Sequence, residues 1–143
     1  MEITVNSDKY DLKLERPFVE EFLNLRNKVG WGELDFNLAQ ASIQNSLFHV
    51  TVRDKSQLIG MGRIVGDGAM YFYIQDVIVD PSYQGTGVGS VLMEHIEDYL
   101  SVAAQKGATI GLLAAKGKED FYRRYGYMLR PSNTLGSGMC RFV

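Results

Sequence analysis

A chain of 143 residues, 45% apolar and with a net charge of −2, is sized for one globular domain with a sizeable core. The near-neutral charge disfavours general nucleic-acid binding, and no apolar run approaches the ~20 residues of a membrane span. A single cysteine, Cys140, excludes an internal disulfide and the usual zinc clusters.

The N-terminus, Met1-Glu2-Ile3-Thr4, lacks a signal-peptide pattern, so the expected location is cytoplasmic. Residues 1–35 hold five Lys/Arg and eight Asp/Glu, while residues 106–143 hold seven and two. That asymmetry suits an anionic ligand toward the C-terminal half and a cationic one near the N-terminal half.

In chain order, Ile3 and Val5 alternate with polar residues as a short first strand. Pro17 suits the first turn of a helix whose apolar stripe is Phe18, Phe22, Leu25 and Val29. Gly30 and Gly32 close it around Trp31. A shorter helix is expected from about Asn37 to Asn45, with Leu38, Ala41 and Ile43 partly buried. Leu47–Arg53 and Gln57–Val65 flank the turn Asp54-Lys55-Ser56 and read as a hairpin. Gly66-Asp67-Gly68 then turns the chain into Ala69–Val79, rich in aromatic and β-branched residues, as a central strand should be.

That strand ends in Val77-Ile78-Val79, and Asp80-Pro81 leads to Gln84-Gly85-Thr86-Gly87-Val88-Gly89-Ser90. Val88, Val91, Leu92, Ile96, Tyr99, Leu100 and Ala103 repeat at helical spacing after it, ended by Gly107. A glycine turn entering a helix gathers unpartnered amides at the positive end of the helix dipole, and such a point binds phosphate-like anions. His95 falls on the apolar face of this helix, where a packed or hydrogen-bonded structural role is expected. Thr109–Ala115 reads as a buried strand, Glu119–Tyr125 as a short helix stopped by Gly126, and Tyr127–Arg130 and Met139–Val143 as final strands joined by Pro131–Gly138. The order defines an α+β fold with a mixed sheet.

The glycine spacing is not that of a P-loop, which needs G-x-x-x-x-G-K-[ST], nor of the dinucleotide fingerprint G-x-G-x-x-G. It is Gln84-x-x-Gly87-x-Gly89, which resembles the pyrophosphate-binding signature Q/R-x-x-G-x-G/A of the GNAT superfamily of acyl-CoA-dependent N-acyltransferases. Phe121-Tyr122-Arg123-Arg124-Tyr125-Gly126-Tyr127 is similar to that superfamily's F-Y-x-x-x-G-F/Y segment. The resemblance covers roughly residues 58–130. It implies one GNAT-like domain over residues 1–143. The implied sheet is mixed and mostly antiparallel, flanked by helices and splayed at its central strands.

It also implies acetyl-CoA as co-substrate and a primary amine, a small amine or a lysine side chain, as acceptor, with possible homodimerisation and no nucleic-acid or membrane partner. The pyrophosphate belongs on the amides around Gly85–Gly89, with Gln84, Thr86, Val88 and Ser90 beside them. The pantetheine arm belongs along Val77, Ile78 and Val79. Lys116, Lys118 and Arg124 are candidates for the nucleotide phosphates, and Phe121 for cofactor packing. Tyr122 is the expected proton donor to the leaving thiolate, since a phenol with a reference pKa near ~10 suits an alkyl thiol.

No side chain on the central strand stands out as a general base. Tyr73 and Gln75 are poor ones, and strict alternation turns Asp76 to the other face. Glu33 and Asp76 remain candidates, beside a water chain. Trp31 and Glu33, with Phe36 and Arg26, are the expected acceptor-pocket residues. Cys140 lacks a partner base and is expected to be a small buried residue, which favours direct transfer in a ternary complex. The alternative is a catalytically silent CoA-binding module of the same fold. A nucleotide binder of another class is disfavoured, because a P-loop's lysine and magnesium ligands are missing.

Overall fold

The computed structural model describes residues 9–143; the strand expected at Ile3 and Val5 lies outside them. The described residues fall into two compact units that divide after Ile110. The elements are β1 (Asp11–Lys13), α1 (Val19–Lys28), α2 (Phe36–Gln44), β2 (Phe48–Asp54), β3 (Gln57–Gly66), β4 (Tyr71–Val79), a 3-10 turn at Pro81–Tyr83, α3 (Val88–Ala103), β5 (Thr109–Leu112) and α4 (Glu119–Arg123). The sheet order is β1-β2-β3-β4-β5, and the pairs β1–β2, β2–β3 and β3–β4 are antiparallel. This is the expected α+β, mostly antiparallel sheet flanked by helices.

Helix α1 carries Glu20 and Glu21 in its first turn and Arg26 and Lys28 in its last, matching its dipole. Phe22 and Leu25 are buried as expected, but Phe18 is exposed. It is the extended residue before the helix, and its N–H donates to Glu21 Oε1 at 2.9 Å. Pro17 therefore precedes the cap instead of sitting in the first turn. In α2, the Asp35 carboxylate accepts from the Leu38 N–H at 3.0 Å and fixes the helix start at Phe36. Ala39 and Ile43 then face inward, and Leu38 and Ala41 face out.

The sheet is packed on both faces. One face carries Leu58, Met61 and Ile78 against Phe22, Leu25, Ala39 and Ile43. On the other, Gly60 and Gly62 let α3 approach the β3 backbone: a Cβ at Gly60 would lie 2.7 Å from Val88 Cγ1, and one at Gly62 2.8 Å from Ile96 Cδ1. Val88, Leu92, Met93, Ile96 and Leu100 are the buried stripe of α3. The helix ends at Ala103, so Gly107 (φ +101°) serves the following turn, not the cap. Strand β5 begins with the Thr109 N–H donating to the Met70 carbonyl at 2.8 Å, and stops at Leu112 instead of Ala115.

In residues 111–143, α4 ends two residues earlier than expected, and Gly126 (φ +91°) follows it. Neither Tyr127–Arg130 nor Met139–Val143 is a strand. Their apolar residues suggest one, but the hydrogen bonds here close locally: Arg130 Nε donates to the Gly136 carbonyl at 2.7 Å and the Ser132 N–H to the Leu135 carbonyl at 2.8 Å. Cys140 is exposed, not buried.

Candidate active site

Strand β4 contains a bulge. Met61 pairs with Ile78, but Arg63 pairs with Gln75, so Asp76 and Val77 together stand opposite Gly62. Asp76 has φ +53°, a left-handed conformation inside a strand; for a residue other than glycine this costs about 1–3 kcal/mol and persists only when its surroundings over-determine it.

The extra residue switches the phase of the strand. Cross-strand partners share a face, so Ile78, partner of Met61, faces α1 and α2, whereas Ile74, partner of Ile64, lies on the α3 side. It also decides where main-chain groups point. The Asp80 N–H donates to the Ile59 carbonyl at 2.8 Å. By alternation Ile78 also turns its backbone to β3, and Val77 and Val79 turn theirs to the opposite edge.

The carboxylate of Asp76 is held from three sides. Arg63 Nε donates to Oδ2 at 2.8 Å, and Arg26 Nη1 and Gln75 Nε2 both donate to Oδ1 at 3.2 Å. Arg63 is itself pinned to α2, donating to the Ser42 carbonyl at 3.1 Å, Ser46 Oγ at 3.0 Å and Ser42 Oγ at 3.0 Å. Asp76 and Arg63 are only 3% and 7% exposed. The bulge thus brings Asp76 to the face of Gln75, correcting the placement by strict alternation. Both oxygens of Asp76 are engaged by side-chain donors. Sequence reasoning missed Arg63 altogether, yet one Arg and one Asp in two otherwise uncharged strands are a usable signal, because buried charges need partners.

Beyond β4 the chain is tied before it reaches the glycines. Asp80 Oδ1 accepts from the Ser82 N–H at 2.9 Å and Oδ2 from Lys28 Nζ at 2.9 Å. Burial pushes the Asp80 carboxyl up, but the bonds from Lys28 and Ser82 and the Lys28 charge outweigh it, leaving it below the usual carboxylate range. The Tyr83 hydroxyl donates to Asp54 Oδ2 at 2.6 Å, which raises the phenol to about 12. The Thr86 hydroxyl donates to the Tyr83 carbonyl. The Gln84 side-chain amide donates to the outward Val79 carbonyl at 3.2 Å, so the signature residue touches the strand edge directly.

Gly85 and Gly87 have φ +79° and +92°, conformations that glycine adopts without strain. Gly87 is the N-cap of the 16-residue α3, and the first intrahelical bond runs from the Val91 N–H to the Gly87 carbonyl at 3.1 Å. Helix geometry leaves the amides of Val88, Gly89 and Ser90 without intrahelical partners. Ser90 is the third helical residue, not a cap. A Cβ at Gly85 would meet nothing within 4 Å, so the space before the turn is open. Open space, amides without intrahelical partners and the positive end of a four-turn helix fit a pyrophosphate.

Trp31 sits between Gly30 and Gly32, both with positive φ, and its ring covers the Arg26 guanidinium at 5.5 Å. It is thereby one residue removed from Asp76. Glu33 and Phe36 are exposed in the α1–α2 connection and at the start of α2. His95 Nδ1 lies 3.0 Å from the Val91 carbonyl and donates to it, a structural bond within α3.

In residues 111–143, Lys118 precedes α4, and its N–H donates to the Ala115 carbonyl at 2.9 Å. The Phe121 ring packs edge-on to Tyr122 (5.1 Å) and Tyr125 (5.6 Å), with the Arg124 guanidinium over it at 5.1 Å. Lys116, Lys118 and Arg124 are exposed. Burial raises the Tyr122 phenol to about 12. Among the described residues no group of His, Cys, Asp and Glu is arranged to hold a metal, and no helix is long and apolar enough to cross a membrane.

A family model described as an acetyltransferase (GNAT) domain matches residues 44–129, and the chain belongs to the GNAT acetyltransferase family. Among solved structures it is similar to a probable acetyltransferase of meticillin-resistant Staphylococcus aureus, with a TM-score of 0.86 and 34% identity over 94% of this chain and 99% of that one. Among sequences it is 33% identical over 116 residues to an uncharacterised ycf52-like N-acetyltransferase of Prochlorococcus marinus, covering 78% of this chain and 63% of the relative. It is also 30% identical over 123 residues to the histone acetyltransferase TAP1 of Glycine max, covering 78% of this chain and 52% of the relative. The chain thus spans about half the length of the soybean protein and under two thirds of the cyanobacterial one.

Proposed function

We propose that residues 1–143 form one acetyl-CoA-dependent N-acetyltransferase domain, which passes the acetyl group directly to a primary amine in a ternary complex. One observation carries the reading: the outward backbone of Val77 and Val79 is followed, after the 3-10 turn, by a glycine turn whose helix-start amides lack intrahelical partners. A strand edge suits the peptide-like amides of pantetheine, and the free amides suit the pyrophosphate. Lys118 and Arg124 supply positive charge for the nucleotide phosphates, and Phe121 an apolar wall.

Chemically, a neutral amine attacks the thioester carbonyl, the C–S bond breaks, and the thiolate leaves. Tyr122 assists that departure. With its phenol raised to about 12, well above the ~8.5 of a cysteine-like thiol, it keeps its proton across the neutral range. It stabilises the departing sulfur by donating a hydrogen bond, and complete proton transfer to the thiolate is uphill. The engaged oxygens of Asp76 leave the amine proton to water or to the exposed Glu33.

Lysine side chains come first among the acceptors to try, beside small amines, a choice supported by one relative's name as a histone acetyltransferase. A homodimer in the cytoplasm belongs to the same proposal.

The test is thiol release from acetyl-CoA with a panel of amines and a lysine peptide. Release should rise with pH across roughly 6–9 as amine or base loses a proton. Cationic amines should outperform alcohols of similar shape. CoA binding without thiol release would indicate the silent module, and a preference for alcohols would indicate O-acyl transfer.

A further inference from the structure

We propose that Arg63 and Arg26 are positioning residues that fix the β4 bulge through Asp76, and that this clamp sets the affinity for acetyl-CoA by deciding which main-chain groups reach the outer edge of β4. The binding half rests on the acetyl-CoA reading above; the structural half concerns the free protein alone.

The position of the bulge decides which backbone groups reach the outer edge of β4. With the extra residue at Asp76–Val77, that edge receives the main chain of Val77 and Val79. Were the bulge to slip toward Val79, Asp76 and Ile78 would replace them, and each side chain passed by the slip would change face. Asp76 is the one residue of β4 in a left-handed conformation, and it is not a glycine. Nothing in its backbone preference keeps it there, so its contacts must.

Those contacts come from outside the strand. Arg63 Nε holds Oδ2 at 2.8 Å, and Arg63 is in turn fixed by three bonds to Ser42 and Ser46 at the end of α2. Arg26 holds Oδ1 at 3.2 Å from the last turn of α1, with its guanidinium near the rings of Phe22 and Trp31. The bulge is thereby referenced to both N-terminal helices. A buried group of two guanidiniums and one carboxylate is a poor way to gain stability, because desolvation offsets most of its attraction. It is well suited to specifying one register. The donors are not equivalent: Arg63 is bonded through all three of its nitrogens, while Arg26 Nε is buried without a partner. Arg63 is therefore the anchor, and Arg26 the looser second hold.

The test uses Asp76→Asn and Asp76→Gly, since both residues tolerate positive φ, with Arg63→Lys as a third variant that keeps the charge but loses the multiple donors. In the free protein, the cross-strand amide contact between Met61 and Ile78, which a slipped bulge would replace, is read by NMR. In the enzyme, CoA affinity is read by calorimetry. The clamp predicts a weakened or averaged Met61–Ile78 contact and CoA affinity lowered by about tenfold or more. Arg63→Lys should fall between parent and Asp76→Gly.

Bulge contacts unchanged in folded Asp76→Gly and Asp76→Asn overturn the clamp. So does a CoA affinity within about twofold of the parent in a folded variant whose Met61–Ile78 contact is lost. If the parent protein itself neither binds CoA nor releases thiol, the acetyl-CoA reading fails, and the NMR comparison still decides whether the clamp holds the bulge.

Discussion

Between Val77 and Ser90 the groups proposed to meet a ligand are main-chain amides and carbonyls; between Lys118 and Arg124 they are side chains. The first segment belongs to a unit with a continuous core on both faces of its sheet, where Ile78, Val88 and Leu92 are almost completely buried. In the second unit none of residues 111–143 is buried. A backbone site tolerates most side-chain changes and fails only where a Cβ intrudes or a dihedral becomes forbidden. A side-chain site fails with one substitution and can leave the surrounding structure untouched. Mutations in the two segments should therefore separate binding from chemistry.

The largest effect is expected in the second unit. Tyr122→Phe keeps the ring and removes the hydroxyl, and kcat should fall by ~10²–10³-fold, the usual scale of losing one hydrogen-bond donor to a developing anion. CoA affinity, read by calorimetry, should stay within a few fold. A kcat within about twofold of the parent would make Tyr122 a packing residue and erase the contrast between the segments.

A smaller effect is expected in the core of the first unit. Gly60→Val forces a Cβ to within 2.7 Å of Val88 Cγ1, at the N-terminal turn of α3. Overpacking of this kind costs typically ~1–3 kcal/mol. Thermal unfolding should show that loss, together with weaker CoA binding as the helix start is displaced. Unchanged stability would mean that α3 is not seated on β3 as described.

The smallest effect concerns pH. Burial, chiefly, and the nearby Arg63 and Arg16 charges hold His49 below the usual histidine range, against the bond from its Nε2 to the Ile43 carbonyl. A histidine depressed in the folded state binds its proton more readily when unfolded. Its contribution is complete above ~6.5 and is lost as pH falls through the lower folded value. Melting temperatures should decline on acidification from pH 7 to 5, and His49→Gln should flatten part of that decline. An identical slope in the variant would place the acid sensitivity elsewhere.

The legibility of the chain follows the same division. The turn at Gln84–Gly89 and helix α3 were readable because glycine spacing and a 3.6-residue apolar period are local properties. The hairpin of β2 and β3 was readable because apolar runs bracket an Asp-Lys-Ser turn. The bulge was not, because counting alternation presumes one residue for one residue, and Asp76 breaks that count through contacts with Arg63 and Arg26, 13 and 50 residues away in sequence. Tyr127–Arg130 and Met139–Val143 have strand-like composition, but a strand needs a ladder partner, which composition does not supply. Phe18 and Leu38 were misplaced by small shifts in helix start, each fixed by a carboxylate, Glu21 or Asp35, accepting a backbone N–H.

The central claim, that the amides at the start of α3 bind acetyl-CoA, is tested most directly by calorimetric titration of CoA into the parent and Gly89→Leu. Gly89 is the second residue of α3, and thermal unfolding checks first that the variant folds. Its side chain would stand where the phosphates are proposed to lie. The account predicts saturable binding to the parent and binding weakened by about a hundredfold or more, some 2.7 kcal/mol, in the variant. Equal affinity in a folded Gly89→Leu protein would contradict it.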